Sequence, residues 1–219
     1  MSQLVKPEKF FADRFGMTDR SLERVFAELV GGQVDHADLY FEYTVSEELS
    51  LEEGQVKRAS RHVSQGAGVR AQAGERTGYA HTDQITLDRL ALAASRAKYI
   101  ADRGGSSAVV RVDSEGRPHD LYGLSKAPVD APRDRKVALL HDVDRLAREY
   151  DRRITQVMAT LWAEEQIILV ATPRGWQGGD VRPLTRLSVS EIDEEGENRQ
   201  SGNFGGGGRV EFDFFLEKE

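Results

Sequence analysis

Residues 37–45, Ala37-Asp38-Leu39-Tyr40-Phe41-Glu42-Tyr43-Thr44-Val45, decide the fold. Leu39, Phe41, Tyr43 and Val45 alternate with Asp38, Tyr40, Glu42 and Thr44, the period of two that buries one face of a strand. Strand-like runs recur downstream at 46–51, 55–63, 67–73 and 77–81. Glu53-Gly54, Gln65-Gly66 and Gly74-Glu75-Arg76 separate them as turn signals. Connections this short make neighbouring strands antiparallel, because a parallel crossover needs about a dozen residues or more.

Helices flank this meander. Pro7 opens a short one carrying Phe10, Phe11 and Phe15, and Gly16 closes it, the usual order of proline at the start and glycine past the end. Leu22, Val25, Phe26, Leu29 and Val30 share one face of a second helix that Gly31-Gly32 stops. A third covers about 86–101, with Leu87, Leu90, Ala94, and Ala97 or Ala101 inward, and ends at Gly104-Gly105. Periodicity then lapses over 106–132, which holds Gly116, Pro118, Gly123, Pro128 and Pro132 and reads as a linker with one short strand at 108–112. The pattern restarts with a helix over about 133–150, presenting Val137, Leu140, Val143, Ala147 and Tyr150. Strands are expected at 154–162, 166–171, 181–192, 197–204 and 209–216, with Glu164-Glu165 and Glu194-Glu195-Gly196 as hairpin tips.

The fold class is therefore α+β: two antiparallel-sheet units, each with packed helices, joined by a linker containing proline and glycine. Residues 1–105 form the first unit, 106–132 the linker and 133–219 the second. Limited proteolysis is expected to cut first within 106–132 or 205–208.

Composition narrows the function. The 219 residues carry 30 Lys and Arg against 37 Asp and Glu, a net charge of −7. No cysteine is present, which excludes disulfides, cysteine-ligated zinc, iron–sulfur clusters and thiol catalysis. The longest apolar runs, 90–94 and 167–171, are too short to span a membrane. The N-terminal residues mix charges among aromatics and lack the apolar core of an export signal. Together these features predict a cytoplasmic protein with no membrane partner. Phosphate contacts need a clustered basic face, and Asp130 and Asp134 interrupt the basic residues Arg133, Arg135 and Lys136. Nucleic acid is not an expected partner.

Candidate chemistry is sparse. His36, His62, His81, His119 and His141 are scattered, and no two share a helix face. His141 lies in His141-Asp142-Val143-Asp144 on a predicted helix, where adjacent residues point apart, so it reads as a surface residue rather than a ligand. The pairs Glu47-Glu48, Glu52-Glu53, Glu164-Glu165 and Glu194-Glu195 fall on strands or at turns. Neighbouring strand residues face opposite sides, so these carboxylates do not converge on one substrate atom. Residues 201–209, Ser-Gly-Asn-Phe-Gly-Gly-Gly-Gly-Arg, resemble a phosphate loop in composition only, because a strand-like segment follows instead of a helix N-terminus. A flexible turn or a close backbone contact is the plainer reading.

Residues 37–87 resemble the first domain of the TldD/PmbA family of metallopeptidases. The likeness rests on Ala37-Asp38-Leu39-Tyr40-Phe41, on Leu51-Glu52, Gly54, Val56 and Lys57, and on Gln65-Gly66. It continues through Gly68-Val69-Arg70-Ala71, Gly74-Glu75, Thr77-Gly78 and Asp83. A second block is similar again at Asp180-Val181-Arg182-Pro183-Leu184, over 186–190 and at the glycine run closing on Arg209. The TldD branch fits better than the PmbA (TldE) branch, and 106–132 matches poorly, as a loop does.

The resemblance implies proteolysis of peptides or unfolded proteins at a zinc site built on His-Glu-x-x-x-His, with a cysteine as a further ligand, in a C-terminal domain. This sequence contains no His-Glu dipeptide and no cysteine, so no catalytic or metal residue is carried onto it. It reads as the N-terminal portion of a TldD-type protein, shaping the cleft and a partner interface, and the chain alone is expected to be inactive. No cofactor is expected in this chain, and zinc is expected in the C-terminal domain. The implied partners are a PmbA/TldE-like subunit or further copies of the chain, and a peptide substrate. Gly205, Gly206, Gly207 and Gly208 are expected to face the further domain or the partner subunit, with Arg209 anchoring an exit strand. The alternative is a stand-alone peptide- or protein-binding module that offers sheet edges.

Overall fold

Strands from both halves of the chain join one sheet. The computed structural model describes residues 6–102 and 122–217, without the side chains of 175–177. Its strands are β1 (His36–Glu52), β2 (Gln55–Ala73), β3 (Arg76–Thr82), β4 (Ile154–Thr172), β5 (Gly175–Glu195) and β6 (Asn198–Gly208). They run in the order β3-β2-β1-β4-β5-β6, with every neighbour antiparallel. The α+β expectation holds, and the two expected units share this sheet through β1 and β4. Leu39 pairs with Ala171 at one end of that junction and Glu52 with Met158 at the other. Separate sheets would have left both strands as bare edges with unpaired backbone groups, and pairing satisfies both.

Burial alternates without a break along β1, every odd-numbered residue from Ala37 to Leu51 facing inward. That face carries all four described α-helices: α1 (Pro7–Phe15), α2 (Asp19–Leu29), α3 (Leu87–Ala101) and α4 (Arg133–Tyr150). Gly16 closes α1 in the left-handed conformation, and Thr18 Oγ1 caps α2 by accepting from Ser21 N–H. Helices α1, α2 and α3 cover a large core around Leu39, Phe41, Val69 and Leu169. Helix α4 covers a smaller one around Leu49, Leu51, Ala159 and Leu161. Strand β3 approaches α3 so closely that a Cβ on Gly78 would collide with the carbonyl of Ala97. A side chain there would push the helix off the sheet.

Several expected boundaries move. Gln65-Gly66 is not a turn, because Gly66 keeps extended backbone and pairs with Glu42, so β2 runs on to Ala73. True turns follow positive φ: Glu53 and Gly54 (51° and 69°), Gly74 (59°) and Gly196 (66°). Glu164-Glu165 is not a hairpin tip either. It lies inside β4, opposite Ser46 and Val45, and the chain reverses beyond Thr172 instead. The glycine run is strand rather than flexible turn, since residues 205–208 pair with 185–188 of β5. Residues 209–216 do not form a strand. A 3-10 helix, Phe212–Leu216, turns back so that Phe212 enters the smaller core and Arg135 reaches Asp213 at 2.9 Å. The expected strand at 108–112 lies outside the described residues. No described helix is long and apolar enough to cross a membrane.

Candidate functional site

The described helices lie on one side of the sheet, and no described helix covers the other. Even-numbered residues of β1 face it, and Tyr40, Glu42 and Thr44 form a small polar network there. Tyr40 Oη donates to Glu42 Oε2 at 2.7 Å, and Thr44 Oγ1 donates to Glu42 Oε1 at 3.3 Å. Burial first, and then the Glu42 carboxylate, push the Tyr40 phenol up to about 12, so it remains a hydrogen-bond donor at neutral pH. Two strands away Arg182 donates to Asp180 at 2.8 Å, and Asp38 and Glu48 hold Arg70 and Arg58. The charges pair among themselves. This face offers hydrogen bonds and salt-bridge partners.

The glycine run ends the sheet at its free edge, and its four members differ. Gly207 adopts φ 148°, and a Cβ there would collide with the carbonyl of Thr185 on β5. At Gly205 a Cβ would sit 2.8 Å from the Arg186 guanidinium, which lies across the strand on the open face. Gly206 and Gly208 point to the helix side, where a Cβ would meet nothing within 4 Å. Internal packing thus accounts for two of the glycines and leaves the other two with free space. Arg209 turns back into the chain, where its Nη1 donates to the Pro183 carbonyl at 3.1 Å and its guanidinium stacks over Tyr122. These contacts tie down the exit from β6, which leads into the 3-10 helix and not into a strand.

On the helix side a row of charge separates the two cores. Glu47 Oε2 accepts from Lys136 Nζ at 2.8 Å and from Arg61 Nη1 at 3.3 Å. Lys136 is 1% exposed and also donates to the Val129 carbonyl at 2.9 Å. Glu165 lies on the same face of β4, directly opposite Val45. Burial, and then the neighbouring Asp130 charge, push its carboxyl up to about 7, while Arg61 pulls the other way. Treating Glu164-Glu165 as a wet turn hides this residue. The signal was its register: Leu161, Ala163, Ile167 and Leu169 share its face and are buried. Lys136 was legible in the same way, three and four residues before the inward Leu139 and Leu140.

The described histidines lie on different elements and do not gather into a metal-binding group. His36 lies 3.4 Å from Asp38, His81 stacks on Tyr79, His62 opposes Ser46 on β2, and His141 sits on α4. His119 lies outside the described residues. No group of three or more His, Cys, Asp or Glu side chains among the described residues could hold a metal ion.

The architecture is that of a helix-backed antiparallel α+β platform with a polar open face. Residues 37–101 match the model of PmbA/TldA metallopeptidase domain 1, and residues 126–219 match that of the PmbA/TldA metallopeptidase central domain. The chain belongs to the PmbA/TldD metallopeptidase family. It is 36% identical over 202 residues to a metalloprotease TldD homolog of Haemophilus influenzae, covering 92% of this chain and 42% of that protein. It is 35% identical over 186 residues to the homolog of Buchnera aphidicola subsp. Schizaphis graminum, covering 85% of this chain and 38% of the relative. The chain thus spans less than half the length of these relatives. Its fold is also that of TldE from Thermococcus kodakarensis, with a TM-score of 0.62 and 17% identity over 86% of this chain and 42% of the other. A putative modulator of a DNA gyrase from Thermotoga maritima superposes with a TM-score of 0.67 and 14% identity, over 87% and 43%.

Proposed function

We propose that this chain is the N-terminal portion of a TldD-type zinc metallopeptidase, that its sheet shapes the peptide cleft, and that it lacks the metal site. The reading rests chiefly on the match of both halves to metallopeptidase domains in the order found in a family of much longer relatives. The open face suits the role: it presents paired side chains on a stiff six-stranded sheet and has no helix over it among the described residues. Zinc and the base that activates its water would come from a further domain, with this chain contributing shape and contacts. Cytoplasmic placement belongs to the same proposal, in keeping with the absence of cysteine.

The glycine edge, Gly205 to Gly208 with Arg209, would meet that further domain or a PmbA/TldE-like subunit. Gly206 and Gly208 would carry the contact, because among the described residues a Cβ at either would meet nothing within 4 Å. The second reading, a stand-alone module that binds an extended peptide, draws on the same edge, since among the described strands β6 pairs with β5 alone.

Metal analysis of the purified 219-residue protein, with a peptide-cleavage assay, tests the leading proposal. The expected result is neither stoichiometric zinc nor turnover. Chelator-sensitive hydrolysis lost on replacing His141 or His81 would overturn it. For the interface, Gly206→Val with Gly208→Val should weaken assembly with a TldE-like subunit while the isolated chain stays folded. Equal assembly by the variant would remove the glycine edge from the interface.

A further inference from the structure

Strand β2 is covered for only part of its length. Over 67–73 it pairs with β3, and its helix-side residues Ala67, Val69, Ala71 and Ala73 are buried. Over 55–65 no described strand lies on its outer side, and the side chains on both faces are mostly exposed. The change is sharp across a single strand spacing. Leu51 and Val45 of β1 are 0% and 6% exposed, while their partners on the same face of β2, Val56 and Val63, are 40% and 54% exposed. With Ala59 these valines make an apolar stripe that the sheet supports from one side. An edge of this kind presents outward N–H and C=O groups on which an extended segment adds as a further strand. Such a strand would continue the line of β3 and flank the valines as Ala80 of β3 flanks Val69.

Charge selects among partners for this edge. Residues 55–65 contain Lys57, Arg58 and Arg61 and no Asp or Glu. Arg58 lies 3.1 Å from Glu48 and Arg61 3.3 Å from Glu47, yet the two arginine side chains stay 68% and 46% exposed. Arg61 also donates to the Val129 carbonyl in a 3-10 turn, Pro128–Asp130, so it is held at the boundary of the two cores with one side toward solvent. A second copy of the chain does not complement this edge. Its own β2 would bring cation against cation, and its β6, at the other end of the sheet order, carries Arg199 and no acid over 198–208. An acidic segment matches the charge, and apolar residues at alternate positions would fill the stripe.

We propose that residues 55–65 of β2 are a docking edge for an extended, acidic segment of another polypeptide. The segment adds as a strand beyond β2, with its apolar residues beside Val56 and Val63 and its carboxylates against Lys57, Arg58 and Arg61. Main-chain hydrogen bonds supply the hold, and the cations and the apolar stripe supply the choice of sequence. The same three cations keep two copies of the chain from pairing through this edge. Docking here is separate from the contact proposed for the glycine edge, which lies at the opposite end of the sheet order.

Two capped ten-residue peptides test this on the 219-residue chain, one alternating valine with glutamate and one alternating valine with lysine. Fluorescence anisotropy of the labelled peptides reads binding, and amide exchange by mass spectrometry reads the site. Exposed ion pairs contribute a factor of roughly 1.5 to 5 each, so the three cations should favour the glutamate peptide by about tenfold or more, and by less at high salt. The bound peptide should slow exchange over 55–65 and leave 198–208 unchanged. Lys57→Glu with Arg58→Gln should remove the preference for glutamate, with far-UV circular dichroism unchanged, and Val63→Ser should weaken both peptides alike. Equal affinity for the two peptides, no binding of the glutamate peptide, or slowed exchange over 198–208 alone would overturn the docking edge. So would exchange over 55–65 in the lone chain as slow as over 67–73, because the chain would then cover this edge itself.

Discussion

The two cores on the helix side of the sheet are built differently. The larger uses three helices, α1 to α3, and chains together the aromatic rings of Phe10, Phe11, Phe15, Phe41 and Tyr43, each 5.0–6.1 Å from at least one other. The smaller uses α4 and the 3-10 helix Phe212–Leu216, with leucines and one buried phenylalanine. Yet neither closes on its own half of the chain. The larger takes Ile167, Leu169 and Ala171 from β4, and the smaller takes Leu49 and Leu51 from β1. Each half lends one long strand to the core of the other, so two stretches matched as separate domains are one unit of packing. Strand length makes this possible: β1 and β4, at 17 and 19 residues, reach across both cores.

That exchange can be broken at either end. Phe41→Ala removes a fully buried ring from the larger core and should cost about 3–5 kcal/mol. Leu161→Ala, in the smaller core, should cost about 2–5 kcal/mol. In chemical denaturation both variants should still unfold in one transition, with Trp162 fluorescence and far-UV circular dichroism coincident. Two separated transitions would mean that the cores are independent after all.

At the boundary the expected effect is somewhat smaller. Lys136→Met strands Glu47 in a buried site with only half-exposed Arg61 to pair it, and should destabilise the chain by about 3 kcal/mol. Adding Glu47→Leu should recover most of that loss, because the buried carboxylate that lost its partner is then gone. If the double variant is as unstable as the single one, the ion pair itself, rather than the unpaired charge, holds the boundary.

The glycine edge gives a finer comparison. Gly207→Ala should cost about 1–3 kcal/mol, from its backbone conformation and the collision with Thr185. Gly206→Ala has room and ordinary backbone angles, and should be neutral or stabilising by about 0.4–1 kcal/mol. Thermal unfolding of the two single variants separates them. Equal losses would show that the run acts as one constrained unit, leaving no member free for an external contact.

Much of the local structure was legible from residue order. The two-residue period placed β1, the helix stop signals placed α1 and α2, and Glu53-Gly54 and Gly196 marked real hairpins, because these features depend on near neighbours and on backbone angles that glycine relieves. Other turns were read where none exists. Gln65-Gly66 and Glu164-Glu165 look like breaks because glycine and charge are common at turns, but cross-strand neighbours keep both segments in the ladder. The metal-ligand motif was absent from the residues themselves. The partly buried state of Glu165 and the uneven demands on the four glycines were not readable, since each depends on atoms from distant strands.

What the sequence determined by itself is the set of elements: amphipathic helices, alternating strands, and a composition without thiol or clustered histidine chemistry. Only the tertiary structure decided that β1 pairs with β4, that a charged row with a shared turn lies between two cores, and that the glycine run is an edge strand. The physical reason is one of range. Caps, turns and side-chain periods are set within a few residues, whereas pairing two strands whose partners lie 106 to 132 residues apart is decided by which backbone groups and apolar faces remain unsatisfied once the local elements have formed.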